Sequence, residues 1–343
     1  MTRRERVIQA LGHRNTDIIP YNIGFTQQEK DKVAAYIGDE NFTEKIGNHM
    51  EMYAFNGFLN EEACEEPDNP GYFRDEFGVR WNRNGVDKDI GVIDNLVIKE
   101  PDMRLYRFPE INRNLFDKQF QKLVNSQKDT FKMGGIGFSM YERAWTLRGI
   151  ENFLMDMLQE PDFANALLDA ICEFNLQIID IGLSYDIDAF HFGDDWGQQS
   201  GLIMGPELWR KFIKPRMTRM YERVKSKGKF VSQHSCGDIN EILPDLIDIG
   251  LDLYQTFQPE IYDISKVKKE YGQHLSFWGG ISTQRLLPFA TPDKVKEKTI
   301  EIMKIVGDNG GYIAAPTHDV PADVPPENIV ALIDVFQNQH IYL

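Results

Sequence analysis

Cysteine is scarce in this chain of 343 residues, where it occurs three times, at Cys64, Cys172 and Cys236. Three cysteines cannot build the disulfide framework of a small secreted domain, and their low number favours a reducing compartment. No segment approaches the run of about 18 apolar residues that a membrane-spanning helix needs, and residues 1–6 lack the apolar stretch of a signal peptide. We therefore expect a soluble, cytoplasmic protein that does not use a membrane.

Positive charge is also scarce, since 38 Lys and Arg residues oppose 53 Asp and Glu residues and leave a formal net charge of −15. A surface of this sign repels a phosphate backbone, which argues against nucleic acid as a partner. Hydrophobic residues nevertheless make up 42% of the chain, enough for a large core. We predict one domain over residues 1–343, a size that α/β barrels reach as a single unit.

Short apolar runs alternate with amphipathic, helix-like stretches over most of the chain. Eight of these runs have the pattern of buried strands: residues 18–23, 52–58, 131–137, 189–193, 230–233, 253–257, 275–278 and 311–315. Eight strand–helix units predict an α/β fold, namely a (β/α)8 TIM barrel. A doubly wound sheet is the main alternative, but no Gly-x-Gly-x-x-Gly motif follows any early strand.

Two local patterns add detail to this fold. Thr291 precedes Pro292, so a hydroxyl cap and a proline at the first helical position predict the start of a helix there. Bulky and polar residues alternate over 72–85 and lead to Asn84-Gly85, a dipeptide typical of a tight hairpin turn. We predict a small β-hairpin excursion near residues 72–99, suited to act as a lid or a contact element.

The segment His234-Ser235-Cys236-Gly237 ends one predicted strand and precedes a helical pattern. Because side chains on an extended segment alternate with a period of two, His234 and Cys236 should face the same side. Imidazole nitrogen and thiolate sulfur are ligands that zinc prefers. The pair therefore predicts half of a zinc site, although His-x-Cys alone is a weak pattern.

His318 follows another predicted strand, at the end where barrel enzymes place their active sites. Together with His234 and Cys236 it offers three nitrogen and sulfur ligands, which leaves one coordination position open, as in catalytic zinc sites. A structural interpretation stays open as well, in which His318 is a buried histidine paired with Asp319.

Three carboxylates follow predicted strands at the same end. Glu142 follows the run at 131–137, and Asp194 and Asp195 follow the run at 189–193. We interpret them as candidate catalytic acids and bases, as a fourth zinc ligand, or as partners that orient an imidazole. The alternative is that Asp194 and Asp195 cap the next helix.

Six stretches make the chain resemble the uroporphyrinogen decarboxylase superfamily, specifically the branch related to corrinoid-dependent methyltransferases. They are residues 4–11 with 17–20, 141–145, 194–197, 234–237, 278–281, and 316–318 with 325–328. The resemblance spans nearly the whole chain and implies a single (β/α)8 barrel. It also implies zinc, and a corrinoid that a partner protein carries.

Glycine and tryptophan residues in these stretches are candidates for binding the cofactor. Gly279 and Gly280 most simply permit a tight strand-to-helix turn with positive φ, and they would also let a flat ligand approach the backbone. With Trp196 they form the predicted cofactor-binding set.

The chain departs from the family pattern in two places. Porphyrinogen decarboxylases carry Arg-Gln-Ala-Gly-Arg after the first strand, whereas residues 23–30 here contain no arginine, so a substrate with many carboxylates would lack its bidentate partners. The coenzyme M methyltransferase branch binds zinc through His-x-Cys and a distant cysteine, whereas the third position here is His318. A neutral imidazole leaves the zinc more positive than a thiolate does, which favours polarising a methyl ether oxygen over activating a thiol.

The expected function is therefore a zinc-dependent methyltransferase, O-demethylase-like, that moves a methyl group between a small molecule and a corrinoid protein. Glu142 or Asp194 would donate a proton to the leaving oxygen if burial raises its pKa. One alternative is a decarboxylase of a tetrapyrrole-like or aromatic acid, for which Arg143 and Arg148 are the candidate cationic groups. The other alternative is a non-catalytic corrinoid-binding protein.

Overall fold

Near-continuous apolar runs form the main strands, as expected of parallel strands that are covered on both faces. The computed structural model describes residues 1–59, 64–85 and 90–343. Its strands are β1 (Met50–Phe55), β2 (Tyr72–Arg74), β3 (Arg80–Asn82), β4 (Val92–Ile93), β5 (Phe131–Ile136), β6 (Ala189–Gly193), β7 (Gly197–Gln198), β8 (Gly201–Leu202), β9 (Phe230–His234), β10 (Leu253–Thr256), β11 (Ser276–Ile281) and β12 (Tyr312–Pro316).

The α-helices alternate with these strands over most of the chain. They are α1 (Arg3–Leu11), α2 (Gln27–Ile37), α3 (Phe42–Ile46), α4 (Arg113–Val124), α5 (Tyr141–Arg148), α6 (Ile150–Gln159), α7 (Pro161–Gly182), α8 (Pro206–Leu208), α9 (Lys214–Lys225), α10 (Leu243–Asp248), α11 (Ile264–Tyr271), α12 (Leu286–Phe289), α13 (Pro292–Val306), α14 (Pro326–Gln337) and α15 (Gln339–Tyr342). Among the described residues, no helix is both long and apolar enough to cross a membrane.

The chain divides into two compact units. The first unit comprises Met1–Glu51, Gln127–Lys132 and Leu251–Leu343, and the second comprises Met52–Ser126 and Met133–Gly250. Strands β1 and β5 begin in the first unit and continue in the second. The single domain expected over residues 1–343 stays a prediction.

Each unit contains neighbouring parallel strands. In the second unit the strand order is β1-β5-β6-β9, and His191 of β6 lies opposite Gly135 of β5 and Ser232 of β9. In the first unit the order is β10-β11-β12, and Gly279 of β11 lies opposite Thr256 and Ala314. All residues of β11 and β12 are buried, which explains their uninterrupted apolar pattern.

The first predicted strand, residues 18–23, is wrong. Pro20 has no N–H to donate to a ladder, and the N–H of Ile23 donates to the side chain of Asn48 at 3.0 Å. The segment keeps an isolated parallel bridge between Tyr21 and Ala314. The apolar run therefore lies beside β12 as expected, but the Asn48 side chain accepts a backbone N–H that a regular strand would use in its ladder.

The excursion predicted near residues 72–99 is a three-stranded antiparallel sheet in the order β2-β3-β4. The chain reverses between β2 and β3 at Asp75, whose Oδ1 accepts the N–H groups of Phe77 at 3.0 Å and Val79 at 2.9 Å. The predicted tight turn at Asn84-Gly85 is wrong, because β3 and β4 are joined by the longer segment 83–91, part of which lies outside the described residues.

The helix start predicted at Thr291 is confirmed, since its Oγ1 accepts the N–H of Lys294 at 3.3 Å and α13 begins at Pro292. The strand-to-helix turn predicted at Gly279 and Gly280 is wrong, because both residues lie within β11. Their φ angles are nevertheless positive, at +133° and +90°. A Cβ at position 279 would lie 1.9 Å from the carbonyl oxygen of Thr256, so the close approach of β10 requires glycine there.

Gly279→Ala should lower the free energy of unfolding by about 3 kcal/mol, because the added methyl group overlaps a rigid backbone oxygen. Gly228→Ala is the matched control, since Gly228 also has a positive φ, +66°, but a Cβ there meets no atom within 4 Å. Backbone strain alone should cost the control about 1 kcal/mol. Urea denaturation of both variants measures the difference, and equal losses would show that the approach of β10 does not matter.

Candidate metal centre

The histidine–cysteine pair lies where β9 ends. His234 is the last residue of β9, and Cys236 follows two residues later with its Sγ 3.6 Å from Nε2 of His234. Ligand atoms of a tetrahedral zinc site, at bond lengths of about 2.0–2.3 Å, lie about 3.3–3.8 Å from one another. The pair therefore has the spacing of two zinc ligands.

A tight backbone contact holds the loop that carries Cys236. Gly237 has φ +78°, and a Cβ at this position would lie 2.2 Å from the carbonyl carbon of Gly197 in β7. The N–H of Asp238 donates to the carbonyl oxygen of Gln198 at 2.8 Å. The β7–β8 hairpin thus packs directly on the loop, which only glycine at position 237 allows.

His234 and Cys236 are half-buried candidate ligands in the second unit, and His318, which is exposed, is the predicted third ligand in the first unit. That the three side chains bind one ion stays a prediction. Two imidazoles and one thiolate are a donor set that suits zinc and leaves a fourth position open. The residues present therefore fit the metal that the sequence predicted.

Asp195 lies against both residues of the pair. Its Oδ1 accepts the N–H of Cys236 at 2.7 Å and lies 3.4 Å from Nε2 of His234. Burial lowers the pKa of His234, but hydrogen bonds with Asp195 and Cys236 raise it, and the pKa is well above its usual value. The predicted role of Asp195 as a partner that orients an imidazole agrees with these contacts.

Glu142 is a half-buried carboxyl group in the first turn of α5. Burial raises its pKa well above the usual value, and the negative charges of Asp195 and Asp194 raise it further. A carboxyl group in this environment keeps its proton at higher pH than an exposed one, which suits a general acid. Glu142 therefore has the property that the sequence interpretation required of it.

Asp194 has a different environment, which favours a structural role over proton transfer. It is fully buried, and its carboxylate accepts the N–H groups of Met140, Tyr141 and Glu142 at 2.8–3.1 Å as well as the indole N–H of Trp196. Burial raises its pKa to about 6, although these hydrogen bonds lower it. Asp194 caps α5, a helix that precedes it in the chain rather than the next one, and so positions Glu142.

Asp194→Ala should lower the free energy of unfolding by about 3 kcal/mol or more, because it leaves three backbone donors and one indole donor without their acceptor. Asp186→Ala is the control, since the Asp186 side chain is 90% exposed, and its effect should stay within about 0.5 kcal/mol. Thermal or urea unfolding of the two variants measures both values. A loss no larger than that of the control would exclude the capping role.

The structure argues against the predicted role of Trp196 in cofactor binding. The side chain is 0% exposed, its Nε1 is bonded to Asp194, and its ring packs edge-on against Trp209 with centroids 5.4 Å apart. No face is left for a flat ligand. Gly279 and Gly280 are also buried, and their strand contacts explain them without a cofactor.

The two arginines considered for the decarboxylase alternative are engaged elsewhere. Arg143 is paired with Asp75 at 2.9 Å, with side chains 3% and 0% exposed. Arg148 is paired with Asp156 at 2.6 Å and donates to the carbonyl oxygen of Lys99 at 2.7 Å. Both guanidinium groups support the protein itself, so neither is available to hold a substrate carboxylate.

His191 is a residue near the site that the sequence interpretation missed. It lies on β6, its Nδ1 is 2.9 Å from Oγ of Ser232, and its ring centroid is 6.4 Å from that of His234. Burial lowers the pKa of His191 to about 3, so the ring is neutral. Strand register could have revealed His191 in the sequence, because adjacent parallel strands bring the polar residues of two apolar runs side by side.

Comparison with known proteins gives relatives of two kinds. The uroporphyrinogen decarboxylase of Chloroherpeton thalassium is 25% identical over 60% of this chain and 59% of its own length. The methylated-thiol–coenzyme M methyltransferase of Methanosarcina mazei is 23% identical over 54% and 48%, and the methylcobamide:CoM methyltransferase of Methanosarcina barkeri is 25% identical over 54% and 52%. The chain thus spans about half the length of the curated relatives it matches.

A solved structure supports the fold over the full length. A methyltransferase from Methanosarcina mazei aligns with 99% of both chains at a TM-score of 0.72 and 18% identity, which confirms a TIM-barrel-like α/β fold. The sequence model of the family described as uroporphyrinogen decarboxylase (URO-D) matches residues 121–339, more than half of the chain. The resemblance inferred from the sequence is therefore confirmed, and the chain belongs to the uroporphyrinogen decarboxylase family.

Proposed function

We propose that this protein is a cytoplasmic, zinc-dependent methyltransferase that moves a methyl group between a small molecule and a corrinoid carried by a partner protein. The observation that carries the proposal is the His234–Cys236 pair, whose ligand atoms lie 3.6 Å apart and are of the kind that zinc prefers. The relatives named as coenzyme M methyltransferases support this reaction class, and the one named as acting on methylcobamide supports a corrinoid partner.

Different residues of this chain would bind the zinc, orient its ligands and set the charge of the site. His234, Cys236 and His318 would hold the ion, which when bound supplies a Lewis acid that polarises an oxygen atom of the substrate. Asp195 orients the pair through its hydrogen bond with the N–H of Cys236 and its contact with His234. An imidazole at position 318 instead of a second thiolate keeps the net charge of the site more positive, which supports a methyl ether as the donor.

Glu142 provides the proton in this proposal. Its raised pKa favours the protonated carboxyl group, which can donate to the oxygen that leaves when the bond to the methyl carbon breaks. Asp194 fixes the first turn of α5 through three backbone N–H groups, including that of Glu142. Asp194 is thus a positioning residue, and Glu142 is the acid.

A decarboxylase is the second candidate, because relatives with that name are also found. That reaction needs cationic groups for the substrate carboxylates, and Arg143 and Arg148 are held in buried ion pairs. Release of carbon dioxide from uroporphyrinogen or a simple aromatic acid, without added corrinoid, would favour this candidate over methyl transfer.

Metal analysis of the purified protein tests the proposal directly. Wild-type protein prepared without chelators should contain one zinc ion per chain, and His234→Ala and Cys236→Ala should lose most of it. Cys64→Ala and His340→Ala are matched controls, since neither residue is a candidate zinc ligand, and both variants should keep full zinc. Wild-type protein without stoichiometric zinc, or Cys236→Ala with a full complement, would overturn the metal part of the proposal.

A further inference from the structure

A lysine and a histidine lie together at the start of β12, in the first unit. Lys268 is a half-buried residue of α11, and its Nζ donates to the carbonyl oxygen of Gly310 at 2.5 Å. A Cβ at Gly311, the residue before β12, would lie 3.2 Å from that Nζ and 2.9 Å from Nδ1 of His13. The amine and the ring nitrogen therefore face the same point above a residue that contributes no side chain.

His13 has a ring nitrogen without a hydrogen bond. Among the described residues, Nδ1 of His13 is buried and has no hydrogen-bond partner. Its φ angle is +52°, a left-handed conformation that residues other than glycine adopt at a cost and that is frequent at functional sites. The protein therefore keeps a strained backbone and an unpaired ring nitrogen beside the amine of Lys268.

The charged groups around His13 favour its neutral form. Burial lowers the pKa of His13, and the positive charge of Lys268 lowers it further. A hydrogen bond with the backbone of Gly272 and the charge of Asp252 oppose this shift, whereas His274 adds to it. The net pKa lies below its usual value, so the ring is neutral at neutral pH and can accept a proton.

Burial also changes the acid–base behaviour of the lysine. It lowers the pKa of Lys268 to about 8, and the charge of Asp308 opposes only part of this effect. An ordinary lysine has a pKa of about 10.4, so at pH 7.5 the side chain of Lys268 contains about 10²-fold more of the neutral amine. Only the neutral amine is a nucleophile, and a desolvated lysine is the activated form that covalent chemistry uses.

We propose that Lys268 is a site of acylation and that His13 accepts the amine proton. The donors that fit this chemistry are small activated acyl compounds, either acyl phosphates or acyl thioesters. The neutral amine attacks the acyl carbon and forms a carbon–nitrogen bond, and the bond to oxygen or sulfur breaks as phosphate or thiolate leaves with the electron pair. The amine proton passes to Nδ1 of His13 and from there to water.

This site does not depend on the proposed methyl transfer. Gly311 precedes the first residue of β12, whereas His318, the predicted third zinc ligand, follows its last residue. The five residues of β12 separate the two ends of the strand by about 17 Å. Acylation of Lys268 should therefore leave the zinc content unchanged.

Competition among lysines of one helix tests the proposal. Lys266 and Lys269 are exposed residues of α11 and serve as internal controls. The full chain is treated briefly at pH 7.5 with acetyl phosphate in one arm and acetyl-coenzyme A in the other, and peptide mass spectrometry measures acetylation at each position. Lys268 should react at least about tenfold faster than either control, because the larger neutral fraction outweighs the lower basicity of the amine.

The two arms also identify the donor. Preference for Lys268 with acetyl phosphate alone assigns the site to acyl phosphates, and preference with acetyl-coenzyme A alone assigns it to acyl thioesters. Reaction at Lys268 that is no faster than at Lys266 and Lys269 with both donors would overturn the proposal.

The pH dependence of the rate identifies the amine. Acetylation of Lys268 should rise with pH and level off, with a midpoint near pH 8 rather than near 10.4, because the neutral amine is the reactive form. Asp308→Asn removes a charge that raises the pKa of Lys268, so the midpoint should move to lower pH. A midpoint near 10.4 in the wild-type protein would refute the activation of this lysine.

A variant of the histidine tests the proton transfer. His13→Asn removes the imidazole and keeps a residue that tolerates positive φ, which lessens the risk of misfolding. The plateau rate at Lys268 should fall by about tenfold or more, and the rate at Lys266 should not change. His340→Asn is the control, because His340 is an exposed residue of α15. An unchanged plateau rate in His13→Asn would exclude His13 as the proton acceptor.

Discussion

Glu142→Gln should lower the rate of methyl transfer from a methyl ether by about 10²- to 10⁴-fold, the range expected when a general acid is removed. Glutamine keeps the size and polarity of the side chain but cannot give up a proton. The raised pKa of Glu142, caused by burial and by the charges of Asp195 and Asp194, is the reason to expect the larger losses. Single-turnover assays with a corrinoid partner protein measure the rate.

The control variant is Glu207→Gln, whose side chain is 88% exposed and should not affect the rate. Zinc content must be measured in parallel, because Glu142→Gln should retain the metal if Glu142 acts as an acid. A variant that loses both zinc and activity would identify Glu142 as the fourth ligand instead. Wild-type turnover in Glu142→Gln would exclude it from the chemistry.

His318→Cys should retain zinc and still lose methyl ether cleavage by about 10²- to 10³-fold, or about 2.7–4 kcal/mol. Thiolate binds zinc at least as well as imidazole, but its negative charge weakens the stabilisation of a departing alkoxide or phenoxide. Stabilisation of charge that develops in the transition state is the largest single effect that a substitution at this position can remove.

His318→Ala should have a larger effect, because it lowers zinc affinity as well as activity. The loss of zinc affinity should exceed the roughly 10- to 100-fold that is typical of losing a group that supports a ligand. His340→Ala is the control and should change neither quantity. Zinc titration and methyl ether cleavage are measured on the same preparations. Full zinc and wild-type turnover in both His318 variants would show that position 318 is not a ligand, and the site would shrink to the His234–Cys236 pair.

Seven of the eight predicted strands coincide with observed parallel strands, because a strand covered on both faces leaves an uninterrupted apolar run that the sequence displays. The exception, residues 18–23, has the same apolar character. Its backbone hydrogen bond at Ile23 goes to the side chain of Asn48, a partner 25 residues away that no local pattern reveals.

The roles of neighbouring residues in one motif were harder to predict. In Asp194-Asp195-Trp196, the first carboxylate caps α5, the second contacts His234 and Cys236, and the indole is buried in the core. The three residues look equally suited to a site in the sequence. The backbone partners of the two carboxylates lie 53 and 41 positions away, so only the packing of strands and helices distinguishes a supporting residue from a site residue.

The sequence by itself determined the family, the alternation of strands and helices, and the candidate metal ligands, because apolar periodicity and His-x-Cys spacing are local properties of the chain. The tertiary structure alone decided which charged groups are available for chemistry and which are held in ion pairs within the protein. Arg143 is used by Asp75, 68 residues away, whereas Glu142 beside it acquires a raised pKa from burial and from charges on another strand end. Burial and long-range charge pairing arise only when distant segments pack together, and they set the chemistry of a side chain more strongly than its neighbours in sequence do.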